Sequence, residues 1–203
     1  EREYHQLQWQ QQPTSGALKQ WQLSLYNHYI DHVMDNVSLR TNNGKKMISN
    51  PDRQTRGARL ELDWQQHWSL GFNWQDDSHR LRKAMHMTQS PDINAAARQH
   101  SIDHQQTGVW LEYQPEAEQG LYLGARIDQH TSRDRRRNKS TSGDQQQQTL
   151  VSGFARYQSA WSDQLSSYAG IGHSQRSADY WERTRNPGQQ DRDSTFDINS
   201  EHT

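Results

Sequence analysis

Three consecutive residues, Met85, His86 and Met87, carry side chains that bind soft metal ions. Thioether sulfur and imidazole nitrogen are good ligands for copper, and thioethers favour Cu(I) in particular. Because neighbours in an extended segment point to opposite sides, Met85 and Met87 can share one face without His86. The run predicts a copper site, and the alternative is a polar loop whose methionines pack against neighbouring segments.

A second candidate metal site comprises His28, His32 and Met34. Isolated polar side chains at the end of a strand are often structural, and that is the alternative here. We expect three other histidines, which flank the stretch carrying Met85, to be solvated: His79, His100 and His104. The chain has no cysteine, which excludes disulfides and thiolate ligands.

Sequence motifs of enzymes are absent. The chain has no glycine-rich phosphate loop, no GxSxG elbow and no HExxH zinc motif. Carboxylate pairs such as Asp76 and Asp77 mean little without a pocket, and we expect this pair to be exposed at the end of a strand. The sequence therefore predicts a protein that is not an enzyme and needs no cofactor.

The composition fits neither an ordinary globular domain nor a disordered chain. Only 30% of the 203 residues are hydrophobic, against about 45–50% apolar residues in typical globular domains. Yet 8 Trp, 8 Tyr and 3 Phe are present, and disordered chains usually lack aromatics. The formal net charge of -1 gives no overall basic surface for nucleic acid, so no nucleic-acid partner is expected.

Apolar and polar residues alternate with period two, which predicts strands rather than helices. Strands of about 9–11 tilted residues suffice to span a bilayer. The alternation predicts about eight strands: Glu3–Trp9, Gln20–Tyr29, Ala58–Trp64, Trp68–Gln75, Thr107–Tyr113, Leu121–Asp128, Val151–Tyr157 and Leu165–Ile171.

The connections between these strands alternate in length. The short links are Gln11–Gln20, Gln65–His67, Pro115–Gly120 and Ser159–Asp163, and the long ones are His32–Gln54, His79–Gln106, Gln129–Gln148 and the stretch beyond Ser174. We expect a helical Ile93–Gln99 and a mobile glutamine tract, Gln145–Gln148, within the long links. This alternation of short and long links is typical of outer-membrane barrels. The predicted fold class is therefore all-β, an antiparallel transmembrane β-barrel segment of about eight meander strands.

Side chains on the two faces and at the strand ends fit a barrel wall. Aromatics next to the short links predict a girdle at one membrane interface: Trp9, Trp21, Trp64, Trp68, Tyr113, Tyr157 and Trp161. Apolar residues are needed on the lipid face only, which explains the low apolar fraction. We expect charged residues on the face toward the lumen: Arg56, Arg59, Glu61, Asp63, Glu112, Arg126, Asp128 and Arg156.

Two stretches resemble the barrel of TonB-dependent receptors, and within that class the copper receptors. The first is Tyr26–Arg40 (YNHYIDHVMDNVSLR), and the second is Tyr168–Arg183 (YAGIGHSQRSADYWER). The family usually has Pro before the Asp-Tyr-Trp of the second motif, where Ala178 stands here. The family also separates the His and Met of its barrel site by one residue, whereas Met85 and His86 are adjacent.

The resemblance implies a 22-stranded barrel with an N-terminal plug, to which residues 1–203 contribute about eight middle strands. The plug, the TonB box and the closing C-terminal strand would lie outside this chain. The implied function is uptake of copper, as ion or complex, across the outer membrane, with TonB acting through the plug and with membrane lipid around the barrel. Two alternatives are a ferric-siderophore receptor of the same architecture and a small eight-stranded structural or adhesion barrel.

A basic cluster lies in the third long link: Arg133, Arg135, Arg136, Arg137 and Lys139. Guanidinium groups bind phosphate well, so lipopolysaccharide is the polyanion expected at a bacterial surface. The alternative is a solvated loop.

Overall fold

The computed structural model describes residues 1–38, 44–65, 67–115, 119–137, 139, 141–162 and 164–177, and the backbone of 193–202. The strands are β1 Arg2–Gln11, β2 Leu18–Asp31, β3 Met34–Asp35, β4 Lys46–Trp64, β5 Trp68–His86, β6 Gln99–Tyr113, β7 Gly120–Asp134, β8 Gln145–Ser162, β9 Leu165–Arg176 and β10 Asp193–His202. No helix long and apolar enough to cross a membrane occurs within these ranges.

The strands form one antiparallel meander. Their order is β1-β2-β4-β5-β6-β7-β8-β9-β10, and the two-residue β3 pairs with β4 outside that path. In the described sheet β1 and β10 are the two end strands, so the sheet is open. The predicted all-β antiparallel fold is confirmed, with nine consecutive strands rather than eight. The ninth, β10, lies in the stretch beyond Ser174 for which the sequence predicted a long link.

Short and long connections alternate as predicted, but several strands are longer than the sequence indicated. Both β4 and β5 have 19 residues, so the long connections shrink to 32–45 and 87–98. The tract Gln145–Gln148 is not a loop, because it opens β8 and pairs with Arg133–His130 of β7. No helix forms over Ile93–Gln99, where the chain makes turns and then enters β6.

One face of the sheet is apolar across all the central strands. Directly paired residues form a continuous row on this apolar face: Leu23, Leu60, Phe72, Val109, Ile127 and Val151. Ile127 is 52% exposed, whereas its neighbour Asp128, on the opposite polar face, is 5% exposed. Burial is thus inverted relative to a water-soluble sheet, as expected where lipid covers the apolar face.

Aromatic rings lie flat over glycines on the polar face. Three such pairs face each other across neighbouring strands: Tyr26 and Gly57, Trp110 and Gly71, and Phe154 and Gly124. A Cβ at Gly71 would come within 3.0 Å of the Trp110 ring, so only glycine leaves room for the indole. The guanidinium groups of Arg59 and Arg126 stack over the same ring, 4.6 and 5.4 Å from its centroid.

Two expectations about charged residues were wrong. Arg56 lies on the side of the sheet that carries Ala58 and Leu60, because residues two apart in a strand share a face. Asp77 is buried within β5, where Arg53 donates two hydrogen bonds to its carboxylate at 3.0 and 2.9 Å. The other charged residues predicted for the lumen side do lie on the polar face, by the same alternation.

The predicted aromatics cluster at the end of the sheet where the short turns lie, which we call the short-turn end. Trp9 contacts Trp21, with ring centroids 5.4 Å apart, and Trp68 contacts Tyr113 at 5.0 Å. Their partners in the ladder belong to the apolar face. The opposite end, which carries the long connections, is called the long-loop end below.

Candidate functional site

A cleft of about 780 Å³ opens at the long-loop end, on the polar side of β2, β4 and β5. We call it the mouth cleft. Among the residues that line it are His32, Met34, Met47, Arg53, His79 and Lys83. Two of the six residues predicted as metal ligands, His32 and Met34, therefore meet in one cleft.

Backbone hydrogen bonds to β4 hold His32 and Met34 in place. The amide of His32 donates to the carbonyl of Pro51 at 3.1 Å, and Met34 pairs with Ser49 through β3. The amide of Asn36 then donates to the carbonyl of Met47 at 3.2 Å. The segment that carries His32 and Met34 is thus held against the first residues of β4.

Asp35 closes the turn that follows Met34. Its carboxylate accepts hydrogen bonds from the amides of Ser38 and Val37 at 2.7 and 2.8 Å, and from the hydroxyl of Ser38. The amide of Ser38, then that of Val37, lowers the pKa of Asp35 from its ordinary value. Asp35 is therefore ionised at neutral pH and stabilises the turn beside Met34.

Three methionines share this side of the sheet. Met34 pairs with Ser49, and Met47 lies two residues from Ser49, so their side chains point the same way. Met85 lies directly opposite Met47 in the ladder. Sequence reasoning missed Met47 because it lay in a predicted long link, and only the β4–β5 register reveals its pairing with Met85.

The three consecutive residues Met85, His86 and Met87 do not converge on one point. The Nδ1 atom of His86 accepts hydrogen bonds from the amides of Thr88 and Gln89 at 3.2 and 3.0 Å, so this ring caps the turn after β5. Met87 lies beyond the strand and is 66% exposed. Only Met85 shares a side of the sheet with the methionines near the mouth cleft.

His28 lies on the polar face of β2, outside the mouth cleft. Its ring meets that of Tyr4 edge-on at 5.7 Å, and its ladder partner on β4 is Thr55. Within the described residues, no three His, Cys, Asp or Glu side chains are grouped as a metal site. A metal in the mouth cleft would therefore depend on thioether sulfur together with imidazole.

Arg98 ties the connection 87–98 to the sheet. Its guanidinium donates to the carboxylates of Asp52 and Asp31 and to the amide oxygen of Asn50, with Arg98–Asp31 at 2.9 Å and Arg98–Asn50 at 3.1 Å. Burial alone would raise the pKa of Asp31, but the hydrogen bonds from Asn50 and Arg98 outweigh it and lower that pKa. We call this group, Arg98 with Asp31, Asn50 and Asp52, the Arg98 latch.

Two of the three histidines expected to be solvated are packed against other rings. His100 has a side chain that is 59% exposed, as expected. His104 is buried and contacts His79, with ring centroids 5.9 Å apart. On its other side His104 contacts His130, a residue that sequence reasoning did not single out, at 5.3 Å.

The basic cluster begins at Arg133, within the last residues of β7, continues into the connection after it, and is partly ion-paired. Arg135 donates to Asp103 at 2.7 Å, and Arg136 donates to Asp134 at 2.6 Å. Burial alone would raise the pKa of Asp134, but hydrogen bonds from Arg136 and Thr141 lower it.

The first sequence motif continues into 39–40 and the second into 178–183, and those residues lie outside the described ranges.

The open meander, the exposed apolar face and the buried polar face define a class of architecture, the wall of an outer-membrane-type β-barrel. Among solved structures, the chain is similar to one described as "Copper transporter OprC", with a TM-score of 0.77 and 30% sequence identity. The similarity covers 89% of this chain and 31% of that one, so the chain spans about a third of the transporter's length. No family model matches the chain, and no curated protein does so either.

Proposed function

We propose that this chain forms part of the barrel wall of an outer-membrane, TonB-dependent receptor that takes up copper into the periplasm. The observation that carries the proposal is the meeting of His32 and Met34 in the mouth cleft with Met47 and His79. His32 and Met34 are separated by one residue, the spacing of the copper-receptor pattern. In an extended segment that spacing puts both side chains on one side.

The ligand set of the mouth cleft fits copper better than harder metals. Thioethers and imidazoles bind Cu(I), whereas carboxylates and carbonyls suit Mg²⁺ and Ca²⁺. The carboxylate of Asp35, next to Met34, is already occupied by hydrogen bonds within its own turn. We therefore propose His32 and Met34 as ligands and Met47 as a third. Met85 lies beside Met47 as its partner on β5.

The architecture supports transport in a lipid bilayer. The apolar face would contact membrane lipid and lipopolysaccharide, and the polar face would line the lumen. Both end strands of the described sheet have an open edge, which argues against the alternative of a small closed barrel. Coupling to TonB would come from a plug encoded elsewhere in the protein.

A ferric-siderophore receptor is the second candidate. Arg53 and Lys83 also line the mouth cleft, and cationic side chains suit an anionic iron chelate. Deleting the gene separates the two candidates. A copper receptor predicts poor growth on copper-limited medium and normal growth on iron-limited medium, and the reverse result would favour the siderophore.

The ligand assignment is tested in the full-length protein with the double variant His32→Gln and Met34→Leu. Losing a group that only hydrogen-bonds to a metal ligand costs about 10–100-fold in metal affinity, so losing two ligands should cost at least that much. Cu(I) affinity is measured by competition with a chromogenic chelator. Met87→Leu is the matched control, because Met87 is exposed beyond β5, outside the mouth cleft. Equal affinity in the double variant and the wild type would show that these residues are not ligands.

A further inference from the structure

The basic cluster at the end of β7 carries more positive charge than the protein around it neutralises. Residues 133–139 contain five cationic side chains and one carboxylate. Arg135 donates to Asp103 at 2.7 Å and Arg136 donates to Asp134 at 2.6 Å, so two of the five cations are ion-paired. The other three are exposed and form no ion pair within the described residues: Arg133, Arg137 and Lys139.

Arg133 lies on the same face of the sheet as the apolar row. It is six positions from Ile127 on β7, and residues an even number of positions apart in a strand share a face. The ladder partner of Arg133 is Asp103, whose carboxylate already accepts the hydrogen bond from Arg135. The guanidinium of Arg133 is therefore presented outward, on the face that carries Ile127 nearer the short-turn end.

Uncharged hydrogen-bonding side chains fill the outward face between Ile127 and Arg133. The hydroxyl of Thr149 donates to Oε1 of Gln129 at 2.9 Å within this zone. Amides and hydroxyls both donate and accept hydrogen bonds, as sugar hydroxyls do. Two successive ladder rows across β6, β7 and β8 make up this zone, which we call the amide belt: Thr107, Gln129 and Thr149, then Gln105, Thr131 and Gln147.

The height of Arg133 distinguishes between two kinds of lipid. Six residues at about 3.3 Å each measure roughly 20 Å along β7, which a tilt of about 45° reduces to roughly 14 Å above Ile127. The head-group layer of a phospholipid is only about 5–8 Å deep. The long-loop end of an outer-membrane barrel faces the exterior. There the outer leaflet is lipopolysaccharide, whose phosphorylated sugars extend well above its acyl chains.

We propose that the outward face of β6, β7 and β8 binds lipopolysaccharide. The acyl chains lie on the apolar row, the sugars contact the amide belt, and phosphate groups bind Arg133, Arg137 and Lys139. Guanidinium groups form paired, charge-assisted hydrogen bonds with phosphate oxygens, so Arg133 is the strongest single contact. Three zones of the surface thus follow the order of three parts of one lipid. The inference rests on the outer-membrane location in the proposed function and adds the lipid site.

A photo-crosslinker tests the site in the full-length receptor in living cells. p-Benzoylphenylalanine takes the place of Gln147, which is exposed and points outward as the ladder partner of Thr131. Illumination should join the receptor to lipopolysaccharide, detected as bands that react with antibody to lipopolysaccharide. The matched control places the same residue at Gln146, whose side chain points to the opposite face of β8, and should give no such product.

The triple variant Arg133→Gln, Arg137→Gln and Lys139→Gln tests the phosphate contacts and leaves the ion pairs of Arg135 and Arg136 in place. Each basic side chain near an anionic membrane surface is worth roughly fivefold in binding, so we expect about 100-fold weaker binding. Titrating the purified receptor that carries the crosslinker at Gln147 with lipopolysaccharide measures the local affinity. Lys19→Gln is the matched control, because Lys19 is an exposed cation at the short-turn end.

The possible results separate the lipid site from copper uptake. Absence of the lipopolysaccharide product at Gln147, or equal affinity of the triple variant and the wild type, would overturn the inference without touching the copper ligands. A receptor that forms the product at Gln147, but neither binds nor imports copper, would refute the proposed copper function and leave the lipid site standing.

Discussion

Replacing Gly71 by Ala tests how the polar face is packed. Gly71 lies directly opposite Trp110 in the ladder. A Cβ there would come within 3.0 Å of three atoms of the indole, whereas ordinary contacts begin at 3.4 Å. The substitution must therefore push the indole away from the backbone and out from beneath Arg59 and Arg126.

The structure sets the size of the expected effect. Overpacking of a fitted site costs about 1–3 kcal/mol. Each stacked guanidinium adds about 0.5–1 kcal/mol that is lost when the ring moves. Alanine recovers about 0.4–1 kcal/mol by restricting the unfolded chain. We expect Gly71→Ala to lower the free energy of unfolding by about 2–3 kcal/mol.

Gly172→Ala is the matched control. Gly172 also lies on the polar face, but its added Cβ would meet its nearest neighbours at 3.7 and 3.8 Å, which is ordinary contact. We expect a change within about 0.5 kcal/mol, or a slight gain from the restricted unfolded chain. Urea titration of the full-length protein in lipid, followed by tryptophan fluorescence, measures both variants. Equal effects of the two substitutions would refute the argument from ring packing.

Two further predictions concern the Arg98 latch. Arg98→Ala should speed amide hydrogen exchange in residues 87–98, because the guanidinium joins this connection to Asp31 and Asp52; exchange at the wild-type rate would contradict that role. The folded-state pKa of Asp31 is lowered, so its contribution is complete above its unfolded value of about 3.9 and is lost as the pH falls through the folded pKa. Protection of 87–98, corrected for intrinsic exchange, should thus be flat from about pH 5 to 7 and fall below about pH 4; loss of protection only on raising the pH would show that the sign is wrong.

The sequence predicts the strands only where one face of the strand is apolar and the other is polar. Leu60, Leu62 and Phe72 alternate with polar residues, and these segments were located correctly. The half of β4 before Gly57 gives no such signal, because apolar and polar residues do not alternate there: Met47 and Ser49 line the mouth cleft on one side, and Asn50, on the other side, belongs to the Arg98 latch. Where a strand has no apolar face, only its pairing with the next strand reveals how far it extends.

Only part of the candidate site could be predicted from the sequence, for a related reason. Because Met85, His86 and Met87 are consecutive, the sequence predicted a copper site there. Neighbouring side chains in a strand point to opposite sides, however, and the His86 ring caps a turn. The one-residue spacing of His32 and Met34 is the better signal, since residues two apart share a side. The pairing of Met47 and the ring contacts of His104 depend on register between strands, which period-two alternation does not specify.

The length of the strands sets how far the mouth cleft, the proposed copper site, lies from the apolar band of the sheet. A strand of 19 residues such as β5 extends roughly 60 Å at about 3.3 Å per residue. With a tilt of about 45° it rises roughly 40 Å, against an apolar band about 25 Å tall. On β5 the apolar face ends at Trp74, so His79 and the mouth cleft lie above the band.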